Sequence, residues 1–182
     1  ILALESHRAG AYVVGEDLGT VEEEVREELA RRDVLSYRLL WFEPDPPSQF
    51  PALALAAVTT HDLPTVAGMW SGADLEDQRA IGLEPYEEGA RAIREKLADW
   101  SGSPAGCDPA DVVVNTYRLL AQAPSMVLTA TLDDAAVCEE RPNVPGTTDE
   151  RPNWSIALPV PLEELEQSPT PAAIADALRR GH

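Results

Sequence analysis

The chain carries acidic side chains at the ends of two apolar stretches. Glu16 ends the run Tyr-Val-Val-Gly at 12–15, and His61 and Asp62 follow the longer, mostly apolar run at 53–60. In parallel α/β folds, catalytic groups gather at the C-terminal ends of the strands. We therefore expect Glu16, His61 and Asp62 to meet in one active site.

These residue types suit acid–base and sugar chemistry. A glutamate in a cleft can act as a general acid and base. An aspartate beside an imidazole can hold sugar hydroxyls through hydrogen bonds that strengthen in the transition state. Two structural interpretations remain open, because residues 15–19 can form a plain strand-to-helix turn and His61-Asp62 can simply cap a strand. A divalent metal site of Glu16, Asp17, His61 and Asp62 is also chemically possible, although the spacing does not require one.

The tryptophans give a weaker signal of a sugar site. A Trp ring can stack on a sugar, but a buried Trp more often fills a core. Trp70 follows Asp62 more closely than the other tryptophans do, and we expect it to contact substrate. The sequence has no phosphate-binding loop, dinucleotide fingerprint or Cys/His metal cluster, and no Ser or Cys in a nucleophile elbow.

Strand-like and helix-like patterns alternate along the chain. Thr20 and Glu23 have the spacing of a capping box at the start of one helix. The alternation implies an α/β fold with parallel strands and right-handed crossovers. We expect strands at 12–14, 35–42, 53–59 and 126–132, and helices at 1–9, 21–32, 74–82, 86–99, 109–123 and 171–180.

The number of strands suggests part of a barrel. Four strands in about 130 residues match half of a (β/α)8 TIM barrel, which needs roughly 250 residues in full. An open α/β sheet is the alternative that the pattern allows. We expect residues 1–138 to be the second half of a catalytic barrel. Residues 139–182 are rich in Pro and polar residues, and we expect them to form a loop and a helix that close it.

Charge and cysteine content restrict the partners and the setting. The 32 acidic and 14 basic residues give a net charge of -18, which argues against nucleic acid and anionic membranes as partners. Cys107 and Cys138 form neither a disulfide framework nor a zinc spacing, and we expect a reducing, cytoplasmic setting. No apolar run is long enough to cross a membrane. The chain begins with Ile1 in what looks like mid-domain sequence, so we expect it to be a piece of a longer protein.

Several blocks together resemble one enzyme family. The sequence Val-Gly-Glu-Asp-Leu-Gly-Thr-Val at 14–21 is followed by Leu-Trp-Phe-Glu at 40–43 and Thr-Thr-His-Asp-Leu-Pro-Thr at 59–65. Asn-Val-Pro-Gly-Thr at 143–147 and Asn-Trp at 153–154 complete the series. This ordered set resembles the 4-α-glucanotransferases, or amylomaltases, which are related to the α-amylase barrels. Ser155 stands where that family usually has Arg.

The resemblance implies a retaining transfer of α-1,4-glucan segments between malto-oligosaccharides, without metal or organic cofactor. It makes Glu16 the general acid/base and Asp62 the stabiliser of the transition state, and it gives His61 and Asn143 contacts with the sugar. The family's nucleophile is an Asp on the strand before Glu16. Glu5 is the only acid upstream of Glu16, so the resemblance places the nucleophile in a missing N-terminal half and makes the isolated chain inactive. An α-amylase-type hydrolase and a non-catalytic glucan-binding module are the alternatives.

Overall fold

A computed structural model describes residues 1–179, which form a parallel sheet covered by helices. The sheet contains β1 (Ser36–Leu39), β2 (Ala54–Ala57) and β3 (Val127–Leu128), in the order β1-β2-β3. All pairs are parallel, as the sequence predicted, with Tyr37 opposite Leu55 and Leu55 opposite Val127. Ala54, Ala56 and Ala57 of β2 are buried, which is typical of a parallel strand packed on both faces.

The strand expected at 12–14 is reduced to a single parallel bridge between Val14 and Leu35. Two backbone hydrogen bonds make this bridge. Gly15 N–H donates to the Leu35 carbonyl (2.8 Å), and Leu35 N–H donates to the Val13 carbonyl (2.9 Å). Glu16 therefore follows directly after the segment that lies alongside β1.

The helices frame the sheet and pack on one another. Their bounds are α1 (Leu2–Ala9), α2 (Glu23–Ala30), α3 (Val66–Ser71), α4 (Ala73–Ala80), α5 (Glu87–Ser101), α6 (Pro109–Leu120), α7 (Leu132–Ala135), α8 (Leu162–Leu165) and α9 (Pro169–Leu178), with a 3-10 turn at Pro47–Gln49. None of these helices combines the length and the apolar character that a bilayer crossing requires.

The structure corrects three helix predictions. Helix α2 begins at Glu23 with Glu22 as its N-cap and no side-chain capping hydrogen bond, so the capping box expected at Thr20 is wrong. Helix α3 was not predicted. Helix α9 begins two residues earlier than expected, at Pro169, and residue 180, expected to end it, lies outside the described residues.

The main core lies between α6 and the helices around it. Helix α6 packs against α3, α5 and α9. It buries one side of its surface, where Val112, Val113, Tyr117 and Leu120 are each at most 1% exposed. Ile174 of α9 belongs to the same core, so the C-terminal segment packs onto the helices of the sheet rather than standing apart from them.

Candidate active site

A cavity of about 650 Å³ opens at the C-terminal ends of the three strands. Leu39 is the last residue of β1, Thr59 and Thr60 follow β2, and Thr129 follows β3, and all of them line it. Glu16, His61 and Asp62 line the same cavity. The structure thus brings together the three residues that the sequence analysis placed at strand ends.

Of the two neighbouring acids Glu16 and Asp17, only Glu16 lines the cavity. The Asp17 side chain is fully buried and holds the turn together. It accepts hydrogen bonds from the Tyr37 N–H (2.9 Å) and from Arg26 Nε (3.2 Å), and Arg38 lies 3.8 Å away. These bonds connect the turn to β1 and α2, which leaves the Glu16 side chain exposed at the cavity.

Tyr37 is a cavity residue that the sequence analysis missed. It lies on β1 two residues before Leu39, and both line the cavity, as the period-2 alternation of a strand would have suggested. Burial raises the pKa of Tyr37 above its ordinary value, and the negative charge of nearby Glu16 raises it further. Tyr37 therefore presents a neutral hydroxyl, able to donate a hydrogen bond, beside Glu16.

His61 and Asp62 form a tight turn after β2. The Asp62 N–H donates to Thr60 Oγ1 (3.3 Å), and His61 Nε2 lies 3.4 Å from Asp62 Oδ1. About half of each side chain is exposed, at 58% for His61 and 44% for Asp62. Both are therefore ordered by neighbours and still open to a ligand.

A loop 81 positions further along the chain contacts Asp62. Asn143 Nδ2 donates to Asp62 Oδ1 (2.6 Å), and Arg141 Nη1 donates to the Asp62 backbone carbonyl (3.0 Å). The sequence analysis assigned Asn143 to substrate, and the structure shows that its amide fixes the Asp62 carboxylate. We call residues 139–154, which carry both side chains, the strap.

The strap is closed on itself by Asn153. Asn153 Oδ1 accepts from the Val144 N–H (3.1 Å), and Asn153 Nδ2 donates to Thr147 Oγ1 (2.8 Å). The next residue, Trp154, has a positive φ of 62° and is 64% exposed. Its ring lies 5.1 Å from the His61 ring, tilted by 48°. The aromatic residue beside His61 is thus Trp154, which the sequence analysis included in a family block but ranked behind Trp70 as a substrate contact.

Trp70 does not join this site, contrary to the expectation from its sequence position. Its ring packs against the core from α3, and its Nε1–H donates to the Cys107 carbonyl (3.0 Å). It lines a separate cavity together with Arg94 and Cys107. The closeness of Trp70 to Asp62 in sequence failed as a guide because α3 carries the chain away from the strand ends.

The four candidate metal ligands are not arranged as a metal site. Among residues 1–179 there is no group of three or more His, Cys, Asp or Glu side chains arranged to hold a metal ion. Asp17, one of the four candidates, is taken up by its bonds to Tyr37 and Arg26. The geometry instead suits recognition of a hydroxyl-rich ligand, with carboxylates, an imidazole and Tyr37 around one cavity and the exposed Trp154 indole beside the imidazole.

Comparisons with known proteins agree on one family. The family model described as 4-alpha-glucanotransferase matches residues 1–162. The chain is 38% identical to the 4-alpha-glucanotransferase of Mycobacterium tuberculosis (strain ATCC 25618 / H37Rv), over 98% of this chain and 28% of that protein. It is 30% identical to the one of Haemophilus influenzae, over 89% of this chain and 26% of that protein. The chain therefore spans less than a third of the length of these relatives.

Solved structures extend the similarity to three dimensions. The amylomaltase of Corynebacterium glutamicum superposes with a TM-score of 0.85 at 31% identity, over 99% of this chain and 30% of that one. The amylomaltase of Streptococcus agalactiae in complex with acarbose superposes with a TM-score of 0.62 at 16% identity, over 94% of this chain and 32% of that one. The second match supports the fold only.

Proposed function

The chain belongs to the 4-α-glucanotransferase family, and on this premise we propose that its cavity is part of a site that transfers α-1,4-glucan segments between malto-oligosaccharides. The observation that carries the proposal is the meeting of Glu16 and Asp62 on one cavity at the ends of parallel strands. The relatives are named for this transfer reaction. We also propose that residues 1–138 form the second half of a (β/α)8 barrel. The other strands of that barrel would adjoin the Val13–Val14 edge on one side and β3 on the other.

In this proposal Glu16 handles the proton in both half-reactions. It first donates a proton to the glycosidic oxygen as the bond from that oxygen to the sugar C1 breaks and the nucleophile carboxylate bonds to C1, so that the remainder of the donor chain leaves with a new hydroxyl. It then takes a proton from the acceptor hydroxyl as that oxygen bonds to C1 and the bond between C1 and the nucleophile breaks. Tyr37, a neutral hydroxyl beside Glu16, is able to hydrogen bond to the carboxylate or to the sugar.

Asp62 holds the sugar while charge develops at C1. One of its oxygens is fixed by Asn143 at 2.6 Å, which leaves the other free to accept from a sugar hydroxyl. Such a bond strengthens when the ring takes on positive character, and Asp62 then stabilises the transition state. His61 lies at the same rim and is placed to hydrogen bond a neighbouring hydroxyl, with the exposed Trp154 ring beside it as a stacking surface.

A retaining reaction also needs a nucleophile, which the resemblance to the family expects upstream of Glu16. Retaining enzymes place two carboxyl groups about 5–5.5 Å apart, one of which bonds to C1. The only acid before Glu16 is Glu5, which lies exposed on α1 and pairs with Arg8 at 2.8 Å. We propose that the nucleophile is an Asp in the part of the full-length protein that the relatives have and this chain lacks.

We also propose that the enzyme works in the cytoplasm, because its two cysteines, Cys107 and Cys138, are free thiols.

Replacement of Glu16 by Gln in the full-length protein tests the proposal. We expect the rate of maltotriose disproportionation to fall roughly 100- to 10,000-fold, because Gln cannot exchange a proton, while binding of maltodextrin is retained. Glu24→Gln, the same change at an exposed site on α2, is the matched control and should leave the rate unchanged.

The products separate the alternatives. A ladder of longer and shorter maltodextrins indicates transfer, while accumulation of glucose and maltose alone indicates an α-amylase-type hydrolase. Unchanged turnover in Glu16→Gln would rule out the assignment and would leave a non-catalytic glucan-binding role.

A further inference from the structure

Two ion pairs made by buried arginines tie the strap to α4. Arg141 Nε lies 3.1 Å from Asp74 Oδ1, and both side chains are less than 10% exposed. Arg151, which is 4% exposed, pairs with Asp77 one turn further along the same helix. Buried arginines need such partners, since an unpaired buried charge is costly. The strap therefore lies in one place on α4.

Only one of the two arginines also reaches the site. The Arg141 guanidinium forms an ion pair with Asp74 through Nε, without an aligned hydrogen bond, and it donates through Nη1 to the backbone carbonyl of Asp62 (3.0 Å). The planar fork of Arg can serve two acceptors in fixed directions, which a Lys ammonium on its flexible stem cannot do as rigidly. Arg151 instead donates to the Arg141 carbonyl (2.8 Å) and holds the strap without touching Asp62.

Asp74 is itself held in position. Gln78 Nε2, one turn further along α4, donates to Asp74 Oδ2 (2.8 Å), so one carboxylate oxygen faces Gln78 and the other faces Arg141. A continuous path of contacts then runs from α4 through Asp74 and Arg141 to the Asp62 backbone. The Asn143 amide, two residues after Arg141, fixes the Asp62 side chain.

We propose that Arg141, oriented by Asp74, is a positioning residue for Asp62. It clamps the Asp62 carbonyl and, through the strap, places Asn143 against the Asp62 carboxylate, so that the free oxygen of Asp62 is aimed into the cavity before substrate arrives. This inference rests on the proposed function, because it gives Asp62 a role in the transition state. Neither Arg141 nor Asp74 lines the cavity, and neither is expected to touch substrate.

Two aspartates on α4 give a matched pair for the test. Asp74→Asn and Asp77→Asn each replace a carboxylate that pairs with a buried strap arginine, but only the first affects an arginine that contacts Asp62. In the full-length protein we expect Asp74→Asn to lower kcat for maltotriose disproportionation roughly 10- to 100-fold, as misplacement of a catalytic group does. KM should stay within about threefold, since the loss concerns the transition state. Asp77→Asn should keep kcat within about twofold of the native value, whatever its effect on the melting temperature.

Arg141→Lys provides a second variant that keeps the charge. We expect a drop in kcat similar to that of Asp74→Asn, because Lys cannot hold Asp74 and the Asp62 carbonyl together with fixed geometry. If Asp74→Asn fails to fold, Arg141→Lys still tests whether Arg141 positions Asp62. The inference is overturned if folded Asp74→Asn or Arg141→Lys keeps the native kcat, or if Asp77→Asn loses as much kcat as Asp74→Asn, which would mean that the strap matters only as a whole. Glu16→Gln separates a failure of this inference from a failure of the proposed function. The proposed function predicts that Glu16→Gln loses activity, whether or not Arg141 positions Asp62.

Discussion

Acidic residues come in adjacent pairs at this site, and the two members of each pair do different work. Glu16 and Asp133 line the cavity, while their neighbours Asp17 and Asp134 are buried and hold the backbone. Adjacent residues on the extended segment at 16–17 point in opposite directions. Asp133 and Asp134 lie on helix α7, where successive side chains are about 100° apart around the axis. In each pair one acid therefore faces the cavity and the other faces the core. Composition alone could not say which acid of a pair faces the cavity. Glu16 was chosen from its place at the end of an apolar run, and the resemblance to the family assigned its role.

Asp134 is the clearest of the structural acids. Its carboxylate accepts from Tyr117 Oη (2.7 Å) and from the Val66 N–H (2.8 Å), and Val66 begins the helix that follows the His61-Asp62 turn. Burial raises the pKa of Asp134, against the lowering effect of the hydrogen bonds from Tyr117 and Val66. One buried carboxyl thus connects α6, α7 and α3 behind the site.

The raised pKa of Asp134 predicts a pH dependence of stability. Above the ordinary carboxyl value of about 4, the unfolded chain has lost this proton while the folded chain still tends to keep it. The contribution of Asp134 to the free energy of unfolding therefore falls as the pH rises from there to the raised folded pKa, and is constant above it. Asp134→Asn does not titrate and lacks this fall.

Urea unfolding of the full-length protein, followed by tryptophan fluorescence, measures the effect. Between pH 4 and pH 7 we expect the midpoint of Asp134→Asn to rise relative to the native midpoint. Asp99→Asn, the same change at an exposed position of α5, controls for the loss of one negative charge. Native and Asp134→Asn midpoints that stay parallel across this range would contradict the prediction.

At the scale of elements, tertiary contacts shortened the predicted strands. The first long strand was expected at 35–42, but β1 ends at Leu39. Directly after it, Lys96 of α5 donates from Nζ to the carbonyls of Leu40 (3.0 Å), Trp41 (3.3 Å) and Glu43 (3.1 Å). These acceptors are lost to the sheet and gained by a helix more than fifty residues away. No local pattern in the sequence signals such an exchange.

Helix α3 escaped prediction for a different physical reason. It has six residues, of which Val66, Ala67, Gly68 and Met69 are buried. A helix buried almost all round shows no alternation of apolar and polar faces, and a helix this short lacks a full amphipathic repeat. The Thr65 N-cap, whose side chain accepts from the Gly68 N–H, was the one local signal.

Gly68 is where α3 and the strap come closest, and this predicts a severe effect of a small change. A Cβ on Gly68 would lie 2.2 Å from the Glu139 carbonyl oxygen, which is backbone and cannot rotate away. Gly68→Ala should therefore displace Glu139, the first residue of the strap, from α3 and lower the free energy of unfolding by about 1–3 kcal/mol. It should also reduce kcat, because Asn143 and Arg141 would move with the strap.

Gly89 is the matched control, because it is also a helical glycine with a crowded Cβ position. There the near atoms belong to the Tyr86 ring, which is 74% exposed and free to move. Gly89→Ala should be neutral or stabilising by up to about 1 kcal/mol, from the higher helix propensity of Ala. Thermal unfolding and maltotriose turnover of both variants check the contrast, and equal behaviour of the two would argue against a tight contact at Gly68.

At the scale of the whole molecule, the sequence analysis was most accurate where a residue able to do chemistry lies at the end of a strand-like apolar run. The parallel α/β arrangement and the juxtaposition of Glu16, His61 and Asp62 followed from apolar runs that stop at polar residues. The connection of Asn143 to Asp62 spans 81 positions, and the Arg141–Asp74 and Arg151–Asp77 pairs join the strap to α4 across similar separations. Such long-range pairings depend on how elements pack, and a single sequence does not encode them in a local pattern.

The edge of the sheet beside α1 leads to a prediction for the 182-residue chain on its own. Within the described part of the chain, the backbone N–H and C=O of Val14 pair with no other group, because the bridge to Leu35 uses only its neighbours. Tyr12 and Val14 on this segment are exposed, and so are Leu2 and Leu4 on the preceding α1. An unpaired edge with apolar side chains around it is a template for pairing with another chain. We therefore expect the isolated chain to self-associate, and to lack disproportionation activity because the nucleophile proposed above lies outside it.

Light scattering coupled to size-exclusion chromatography measures the association. Tyr12→Lys places a charge at the edge and should shift the chain toward monomer, as edge lysines do in natural sheets. Tyr86→Lys is the matched control, since Tyr86 is exposed to the same extent as Tyr12, at 74% and 76%, but lies at the start of α5 away from this edge. If both variants associate equally, the contact lies elsewhere on the molecule. A monomeric native chain that disproportionates maltotriose would contradict both parts of the prediction, because the edge would then need no partner and the three strands described here would hold a complete site.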